Sequence, residues 1–182
     1  PIYSAKDHGI LQNDFTSLEG WAKAWGMRFN AKKCYILSVK NKSQYSYTLN
    51  GTVLKSVKEN PYLGVQFSND LSWSPHIEKT AKKANSIIGF LRRNLRNCSE
   101  PSRHKAFLAL VRSVLEYGSI VWDPYLQKDI EVLEKVQRKG VRFVTGDYRS
   151  HTPGCVTSML LNQKLDALQE RRRQLRRTFL YK

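Results

Sequence analysis

The chain has 182 residues, of which 41% are hydrophobic and 11% aromatic, and these fractions exclude a disordered tail and allow a buried core. Its formal net charge is +16, from 31 basic and 15 acidic residues. Such an excess favours a polyanionic partner, most often nucleic acid and less often an acidic membrane surface. No apolar run approaches the roughly 20 residues that a membrane-spanning helix needs.

The positive charge is concentrated in the second part of the chain. Residues 1–70 hold nine basic and five acidic residues, whereas residues 71–182 hold 22 and ten. We therefore expect the second part to form the polyanion-binding surface. The three cysteines are far apart and form no C-x-x-C pair, which argues against a disulfide framework or a zinc site and favours a reducing, intracellular environment.

The first 70 residues predict one helix followed by a small antiparallel sheet. Apolar residues at steps of three and four predict a helix from about Ala5 to Trp25, and Gly26 is typical of a helix end. Aromatic and β-branched residues predict the strands Cys34–Val39, Tyr45–Leu49, Thr52–Leu54 and Tyr62–Phe67. A polar turn at Lys40–Gln44 and a tight turn at Asn50-Gly51 separate the first three of them.

The rest of the chain is predicted to be helical. Ser74-Pro75 is typical of a helix start, and an apolar period continues from there to Asn97. Ser99-Glu100-Pro101 opens a second helix, and Gln127–Thr145 forms a third. Gly146 and the polar residues up to Pro153-Gly154 break the chain, after which a last helix is predicted over Lys164–Tyr181.

Basic side chains lie away from the apolar faces of three of these helices. On one helix alone, such a face is most simply a solvated surface, but three of them with few acidic residues favour binding to phosphates. The candidate nucleic-acid-binding residues are Lys79, Lys82, Lys83, Arg93, Arg96, Lys128, Lys135, Arg138, Lys139, Arg142, Arg171, Arg173, Arg176 and Arg177. Arg172 instead falls within an apolar stripe, where an ion pair, a snorkelled stem or a phosphate contact are all open.

Six stretches of the sequence occur in an order that resembles one family. They are L-Q-N-D-F-T-S-L-E-G-W-A-K-A-W-G-M-R-F-N-A-K-K-C, N-P-Y-L-G-V, L-S-W-S-P-H-I, L-E-Y-G-S-I-V-W-D-P, V-Q-R-K-G-V-R-F-V and L-x-x-R-R-R. Together they resemble the C-terminal part, late palm plus thumb, of the reverse transcriptases of non-LTR retrotransposons (LINE-type, jockey-like mobile elements). The likeness covers nearly the whole chain.

The resemblance implies an α+β fold. An N-terminal helix with a small antiparallel sheet would be a palm remnant, and an all-α, thumb-like helical bundle would follow it. We expect a late palm segment over residues 1–70, a thumb-like bundle over residues 71–150 and a basic C-terminal helix over residues 151–182. We also expect the four tryptophans to lie in the core, and apolar surface to be exposed around Phe15, Leu18 and Trp21, where a palm sheet would pack.

The resemblance also implies a function. The chain would be a fragment of an RNA-directed DNA polymerase, a nucleotidyltransferase, and would grip the RNA–DNA duplex of template and primer during target-primed reverse transcription. In that family, aspartates of a Y/F-A-D-D strand hold catalytic Mg²⁺, and Pro1 would lie a few residues after them. This sequence has no Asp-Asp pair, so we expect the fragment alone to be inactive and to bind no metal. The remainder of the polypeptide is an expected partner, within a nuclear or cytoplasmic ribonucleoprotein.

Two short segments receive roles from the same resemblance. Lys33, with Lys32 as the second match, corresponds to a lysine near the pyrophosphate that acts as a possible general acid, and a plain lysine at an exposed turn is the alternative. The segment Tyr62-Leu63-Gly64-Val65 (Tyr62, Leu63, Gly64 and Val65) corresponds to the primer-grip hairpin, although Leu63 and Val65 are expected to belong to a core strand.

Two other functions are compatible with the sequence. One is a non-catalytic nucleic-acid-binding module derived from a retroelement. The other is a protein-interaction domain whose basic faces meet acidic partners. Duplex binding measured against salt separates them, because contacts to phosphates weaken steeply as salt rises.

Overall fold

The computed structural model describes residues 4–39 and 45–181. The chain divides into two compact units, unit 1 (Pro1–Ser72) and unit 2 (Trp73–Lys182). Within the described residues, unit 1 combines one long helix with short strands, and unit 2 is built from helices. The predicted α+β fold class is confirmed.

Unit 1 begins with the long helix α1 (Ala5–Ala24). Its first turn is held by a reciprocal cap, in which the Asp7 backbone N–H donates to the Ser4 hydroxyl and the Ser4 backbone N–H donates to the Asp7 carboxylate. Such a cap satisfies two of the amides that a helix start leaves free. Gly26 has a left-handed φ of 66° just beyond the helix, so the predicted helix and its end are confirmed.

Within the described residues of unit 1, six short strands form three separate pairs. The strands are β1 (Tyr35–Ile36), β2 (Thr48–Leu49), β3 (Thr52–Val53), β4 (Lys55–Ser56), β5 (Glu59–Tyr62) and β6 (Val65–Ser68). The pair β1–β4 is parallel, whereas β2–β3 and β5–β6 are antiparallel. The prediction of one antiparallel sheet is therefore wrong, because a strand pattern does not specify the partner strand. The predicted turn Lys40–Gln44 lies outside the described residues.

Two tight turns close the antiparallel hairpins. Asn50 and Gly51 have φ values of 49° and 70°, which confirms the predicted turn between β2 and β3. Leu63 and Gly64 repeat this geometry, with φ values of 48° and 83°, between β5 and β6. The prediction of an uninterrupted strand over Tyr62–Phe67 is therefore wrong, because the chain reverses direction inside it.

The core of unit 1 is small. Tyr47, Leu49 and Leu54 are its buried cluster, and side chains such as Phe15 and Phe29 pack against them while partly exposed. Phe15 itself is partly exposed, and its ring contacts Tyr47 edge to face at a centroid distance of 5.7 Å.

The two tryptophans of α1 lie at the surface. Trp21 and Trp25 are 52% and 70% exposed, so the prediction that they are core residues is wrong. Trp21 lies in the last turn of α1 and Trp25 is its C-cap, and neither is among the side chains that pack against the small cluster of unit 1. The expectation of exposed apolar surface around Leu18 and Trp21 is confirmed, since Leu18 is 47% exposed.

Unit 2 is a helical bundle. Its helices are α2 (Ser74–Asn94), α3 (Glu100–Ala106), a π-helical segment (Phe107–Arg112), α4 (Ser113–Glu116), α5 (Gln127–Thr145), α6 (Cys155–Asn162) and α7 (Leu168–Leu180). The bounds of α5 agree with the predicted helix, and Ser99 is the N-cap of α3 as predicted. The residue at the N-cap of α2 is Trp73 rather than Ser74, whose hydroxyl instead donates to Asp129 at 2.8 Å.

The last part of unit 2 departs from the predicted elements. The helix α6 is absent from the sequence prediction, because its eight residues are too few to show a clear period. The last helix begins at Leu168 rather than Lys164, since Lys164 has a left-handed φ of 53° and the buried side chain of Leu165 belongs to the connection before the helix.

The core of unit 2 is extensive and closely packed. Phe107 is fully buried against α5, where a Cβ built on Gly140 would lie 2.1 Å from its Cε2 atom. The absence of a side chain at Gly140 therefore allows this ring to contact the α5 backbone. Trp122 is also fully buried, as predicted, and its indole N–H donates to the Tyr117 carbonyl at 2.7 Å. Trp73 is only half-buried.

Candidate nucleic-acid interface

The α5 helix presents lysines on the side opposite its core. Ile130, Leu133 and Val136 are among its buried residues. Lys128, Lys135 and Lys139 are exposed and lie within about 40° of one another around the helix, at 100° per residue. None of the three has an ion-pair partner among the described residues. We call Lys128, Lys135 and Lys139 the lysine stripe.

The two arginines predicted on the same helix are used within the fold. Arg138 pairs with Glu131, and both are partly exposed. Arg142 donates to the Asp147 carbonyl at 3.1 Å and to the Ser150 carbonyl at 2.8 Å. Its guanidinium therefore holds the loop that follows α5, which leaves the lysine stripe as the part of this face that is open to a ligand.

The α2 helix carries a second cationic face. Its core side is buried, with Ile77, Ala84 and Leu91 among the buried residues. The predicted cations of this region are all exposed, and those on α2 are Lys79, Lys82, Lys83 and Arg93. Arg96 lies two residues beyond the end of α2 at Asn94, so the predicted continuation of the helix to Asn97 is wrong. Lys82 lies 4.0 Å from Glu78, a surface pair that holds the lysine only weakly.

The cations of α7 are mostly paired with acidic residues. Arg171 pairs with Glu116, Arg173 with Glu170 and Arg176 with Asp123. Arg177 is exposed and has no ion-pair partner among the described residues. This compensation could not be predicted from the sequence, because the acids that pair with Arg171 and Arg176 come from distant parts of the chain.

Arg172 is the most buried charged residue of unit 2. Its side chain has no exposed surface, and its Nε donates to Asp123 Oδ1 at 2.9 Å. Arg172 therefore forms an ion pair inside the unit, which decides among the three alternatives that the sequence left open. The Asp123 carboxylate pairs with both arginines, with Arg172 through Oδ1 and with Arg176 through Oδ2.

An arginine-rich cleft opens on another side of unit 2. Its volume is about 1100 Å³, and its lining includes one flank of α2, the start of α3 and the loop after α5. Five arginines line it, and they are Arg92, Arg93, Arg96, Arg103 and Arg149. Among the lining residues, Asp147 is the one acid. We call this feature the arginine cleft.

Neighbouring groups hold the side chains of the arginine cleft in place. The Arg92 guanidinium lies over the Tyr148 ring, 4.2 Å from its centroid. The Arg103 guanidinium packs on Gly146, where its Nη1 would lie 3.0 Å from an added Cβ. Because α5 ends at Gly146, this cation also lies near the negative end of a helix dipole.

Asp147 is committed to its own loop. Its carboxylate accepts hydrogen bonds from the Ser150 hydroxyl and from the backbone N–H groups of Arg149 and Ser150. These bonds, led by those from Ser150, lower the pKa of Asp147 from 3.8 to about 2. The cleft therefore has an ordered wall and an excess of positive charge.

Of the arginines in this cleft, Arg93 and Arg96 were predicted from the sequence, and Arg92 beside them was not. Arg103 and Arg149 could not be predicted, because they come from segments that meet α2 only in the fold. The signal that was available is the charge of residues 71–182, which carry 22 basic and ten acidic residues.

In unit 1, residues Asn30–Lys33 form a tight polar corner. Ala31–Lys33 is a short 3₁₀ helix, and the Asn30 side chain accepts a hydrogen bond from the Lys32 backbone N–H at 3.1 Å. Lys32 and Lys33 are both exposed. The predicted role of Lys33 at a pyrophosphate stays a prediction.

The tip of the β5–β6 hairpin exposes apolar side chains. Tyr62 and Leu63 are 65% and 75% exposed, whereas Val65 is buried. The expectation that Leu63 lies in a core strand is therefore wrong, and that for Val65 is confirmed. Leu63 adopts a left-handed φ, which costs a non-glycine residue free energy. The backbone preference of leucine therefore does not explain this turn.

Residues that could hold a metal ion are not grouped in the described part of the chain. There, no group of three or more His, Cys, Asp or Glu side chains could bind one. No described helix is both long and apolar enough to cross a bilayer.

Two curated proteins are similar to this chain. A probable RNA-directed DNA polymerase from transposon BS of Drosophila melanogaster is 22% identical over 142 residues, which cover 74% of this chain and 16% of that protein. The RNA-directed DNA polymerase from mobile element jockey, also of Drosophila melanogaster, is 23% identical over 141 residues, which cover 75% and 15%. The chain is related to the reverse transcriptases of non-LTR retrotransposons.

The relationship to these reverse transcriptases is distant and covers a small part of them. The chain spans 16% and 15% of the length of the two relatives. No family model matches the chain, and no solved structure matches it. The activity of a whole reverse transcriptase therefore does not pass to this chain from the similarity alone.

Proposed function

We propose that this chain is a reverse-transcriptase segment whose unit 2 grips the RNA–DNA duplex of template and primer during target-primed reverse transcription. The observation that carries the proposal is its relationship to two RNA-directed DNA polymerases of mobile elements. The exposed cations of α2 and α5 support it, because lysines and arginines on helix surfaces are suited to phosphates along a backbone.

The binding would be independent of base sequence. Contacts to phosphates position a protein on nucleic acid without reading its bases. The lysine stripe is free of ion pairs among the described residues, so its lysines would release counterions from the duplex on binding. The paired arginines of α7 would contribute less, because their charge is already compensated by Glu116, Asp123 and Glu170.

Unit 1 would stand near the reacting end of the primer. Its exposed hairpin tip, Tyr62-Leu63-Gly64, would contact the primer, and Lys33 would face the leaving pyrophosphate. Mg²⁺ would supply the activation of the attacking hydroxyl in a complete enzyme. The described residues of this chain do not group the carboxylates for that metal, so we derive no catalytic step for it. In this proposal, the chain and the rest of the reverse transcriptase would belong to a nuclear or cytoplasmic ribonucleoprotein.

A second candidate is a nucleic-acid-binding module that performs no synthesis. The observation in its favour is the set of exposed cations on α2 and α5, which could bind nucleic acid without any catalytic step. Primer extension with Mg²⁺, measured on the chain alone and on a longer chain that includes an Asp-Asp strand, separates the two candidates. Extension by the longer chain supports the polymerase segment, and duplex binding without extension in either supports the module.

The location of the duplex site is tested by removing the lysine stripe. We expect the triple variant Lys128→Gln, Lys135→Gln, Lys139→Gln to bind an RNA–DNA duplex more weakly, with a salt slope less steep by about 2.7, from about 0.9 per phosphate contact. The matched control is Lys6→Gln, Lys23→Gln, Lys58→Gln, which removes three exposed lysines of unit 1. An equal loss in the control would show that net charge, and not the stripe, determines binding.

A further inference from the structure

The arginine cleft differs in shape from the lysine stripe, and it shares Arg93 and Arg96 with the cations predicted for the α2 region. A duplex carries its phosphates on a broad cylinder, which suits the outer face of a helix. The cleft is a half-open concavity with a volume of about 1100 Å³, somewhat above the common range of about 300–1,000 Å³ for small-molecule pockets. It therefore has room for a few residues of an extended polymer and not for a duplex.

The charge of the cleft selects an anion. The lining of the cleft combines five arginines with one acid, Asp147. The Asp147 oxygens already accept hydrogen bonds from its own loop. The five arginines are Arg92, Arg93, Arg96, Arg103 and Arg149. Among these arginines, none forms an ion pair within the described residues. The Nε of Arg103 is buried without a hydrogen-bond partner there. Guanidinium groups match the oxygens of phosphate in pairs, so phosphate is the anion that such a cluster suits.

The cleft also offers planar surfaces. The Arg92 guanidinium and the Tyr148 ring lie over one another at 4.2 Å, and Arg92 is exposed while Tyr148 keeps 38% of its surface exposed. Bases of single-stranded nucleic acid stack on aromatic rings and on arginine planes, whereas bases of a duplex are already stacked on each other. A free phosphate or a polyphosphate would use the arginines without using Tyr148.

We propose that the arginine cleft binds a short stretch of single-stranded nucleic acid, with its phosphates on the arginines and a base on the Arg92–Tyr148 pair. The proposal rests on the proposed function for the class of ligand, a nucleic acid. It adds a second site in unit 2, separate from the duplex-binding lysine stripe, that holds an unpaired strand.

The test compares two triple variants that each remove three positive charges. The cleft variant is Arg92→Gln, Arg103→Gln, Arg149→Gln, which leaves the cations assigned to the α2 face unchanged. The control is the lysine-stripe variant Lys128→Gln, Lys135→Gln, Lys139→Gln. Binding of labelled oligo(U) RNA and oligo(dT) DNA to the full 182-residue chain is measured by fluorescence anisotropy against salt. We expect the cleft variant to lose at least about tenfold in single-strand affinity and about 2 in salt slope, at about 0.7 per contact. The control should lose much less on single strands.

The stacking contact is tested at Tyr148. We expect Tyr148→Leu to weaken single-strand binding about tenfold, and Tyr148→Phe to bind like the unchanged chain, because a phenyl ring retains the stacking face. Circular dichroism checks that each variant is folded.

Competition by inorganic polyphosphate as strong as that by oligo(U) would overturn the proposal, since it would reduce the cleft to a phosphate site. Preference between the RNA and the DNA strand reports contact with the 2′-hydroxyl, and binding of either strand through the cleft supports the proposal.

The outcomes separate this inference from the proposed function. Equal single-strand losses in the two triple variants overturn the cleft proposal. If the cleft variant loses single-strand binding while the unchanged chain does not bind a duplex, the cleft proposal stands and duplex gripping fails. If the lysine-stripe variant alone loses duplex binding and the cleft variant binds single strands normally, duplex gripping stands and the cleft proposal fails.

Discussion

Unit 1 and unit 2 bury their apolar residues to very different extents. In unit 2, side chains such as Phe107, Leu133 and Trp122 are fully buried, whereas unit 1 leaves Trp21 and Trp25 largely in water. Among the described residues of unit 1, the buried cluster consists of Tyr47, Leu49 and Leu54. A unit with a complete core can carry many exposed cations on its helices, because its stability does not depend on them. Substitutions should therefore have different consequences in the two units.

The largest effect is expected from removing the acid beside a buried arginine. Asp123→Ala leaves the Arg172 guanidinium without its ion pair, and both of its Nη atoms already lack partners within the described part of the chain. We expect a loss of about 3–5 kcal/mol in the free energy of unfolding of unit 2, measured by urea unfolding with circular dichroism. The control Glu170→Ala, which breaks the exposed pair with Arg173, should cost at most about 1 kcal/mol. Similar losses in both variants would mean that Arg172 is not a structural ion pair.

A glycine-to-alanine change should affect the free energy of unfolding in opposite directions in the two units. In unit 2, Gly140→Ala places a Cβ against Phe107 and should destabilise by about 1–3 kcal/mol. In unit 1, Gly20→Ala lies in α1 with no atom within 4 Å of the new Cβ, so helix propensity should stabilise by about 0.5–1 kcal/mol. Urea unfolding of the two variants measures both. A stabilised Gly140→Ala variant would contradict the close contact between Phe107 and α5.

A smaller effect is expected at the hairpin tip of unit 1. Leu63→Asn places a residue that tolerates left-handed φ before Gly64 and should stabilise the hairpin by up to about 1 kcal/mol. Leu63→Ala, which retains the unfavourable φ, is the control, and thermal unfolding compares them. If Leu63 contacts the primer as we propose, the stabilised Asn variant should bind template–primer more weakly. An Asn variant that gains both stability and affinity would remove Leu63 from the interface.

The smallest effect concerns the loop that borders the arginine cleft. Because its pKa is lowered in the folded chain, Asp147 contributes stability that is present above its ordinary pKa of 3.8 and is lost as the pH falls towards about 2. The difference in stability between the unchanged chain and Asp147→Asn should be complete near neutral pH and should vanish over that acidic interval. A difference that does not change with pH would show that the carboxylate charge is not what orders the loop.

The elements with strong local signals could be predicted, and the contacts between distant segments could not. The α5 helix has a long apolar period and ends at Gly146, so its bounds follow from the sequence. The eight residues of α6 carry too little pattern, and strand pairing in unit 1 depends on partners that local sequence does not specify. Arg172 illustrates the limit for the site, because its partner Asp123 lies 49 residues earlier in the chain.

In the proposed function, the cations of unit 2 bind the phosphates of a template–primer duplex. The most direct test is the affinity of the unchanged chain for an RNA–DNA duplex, measured from about 50 to about 200 mM salt. We predict that the logarithm of the association constant falls linearly with the logarithm of the salt concentration, with a slope of about −3 or steeper. No binding at the lowest salt, or binding that does not change with salt, would contradict the account.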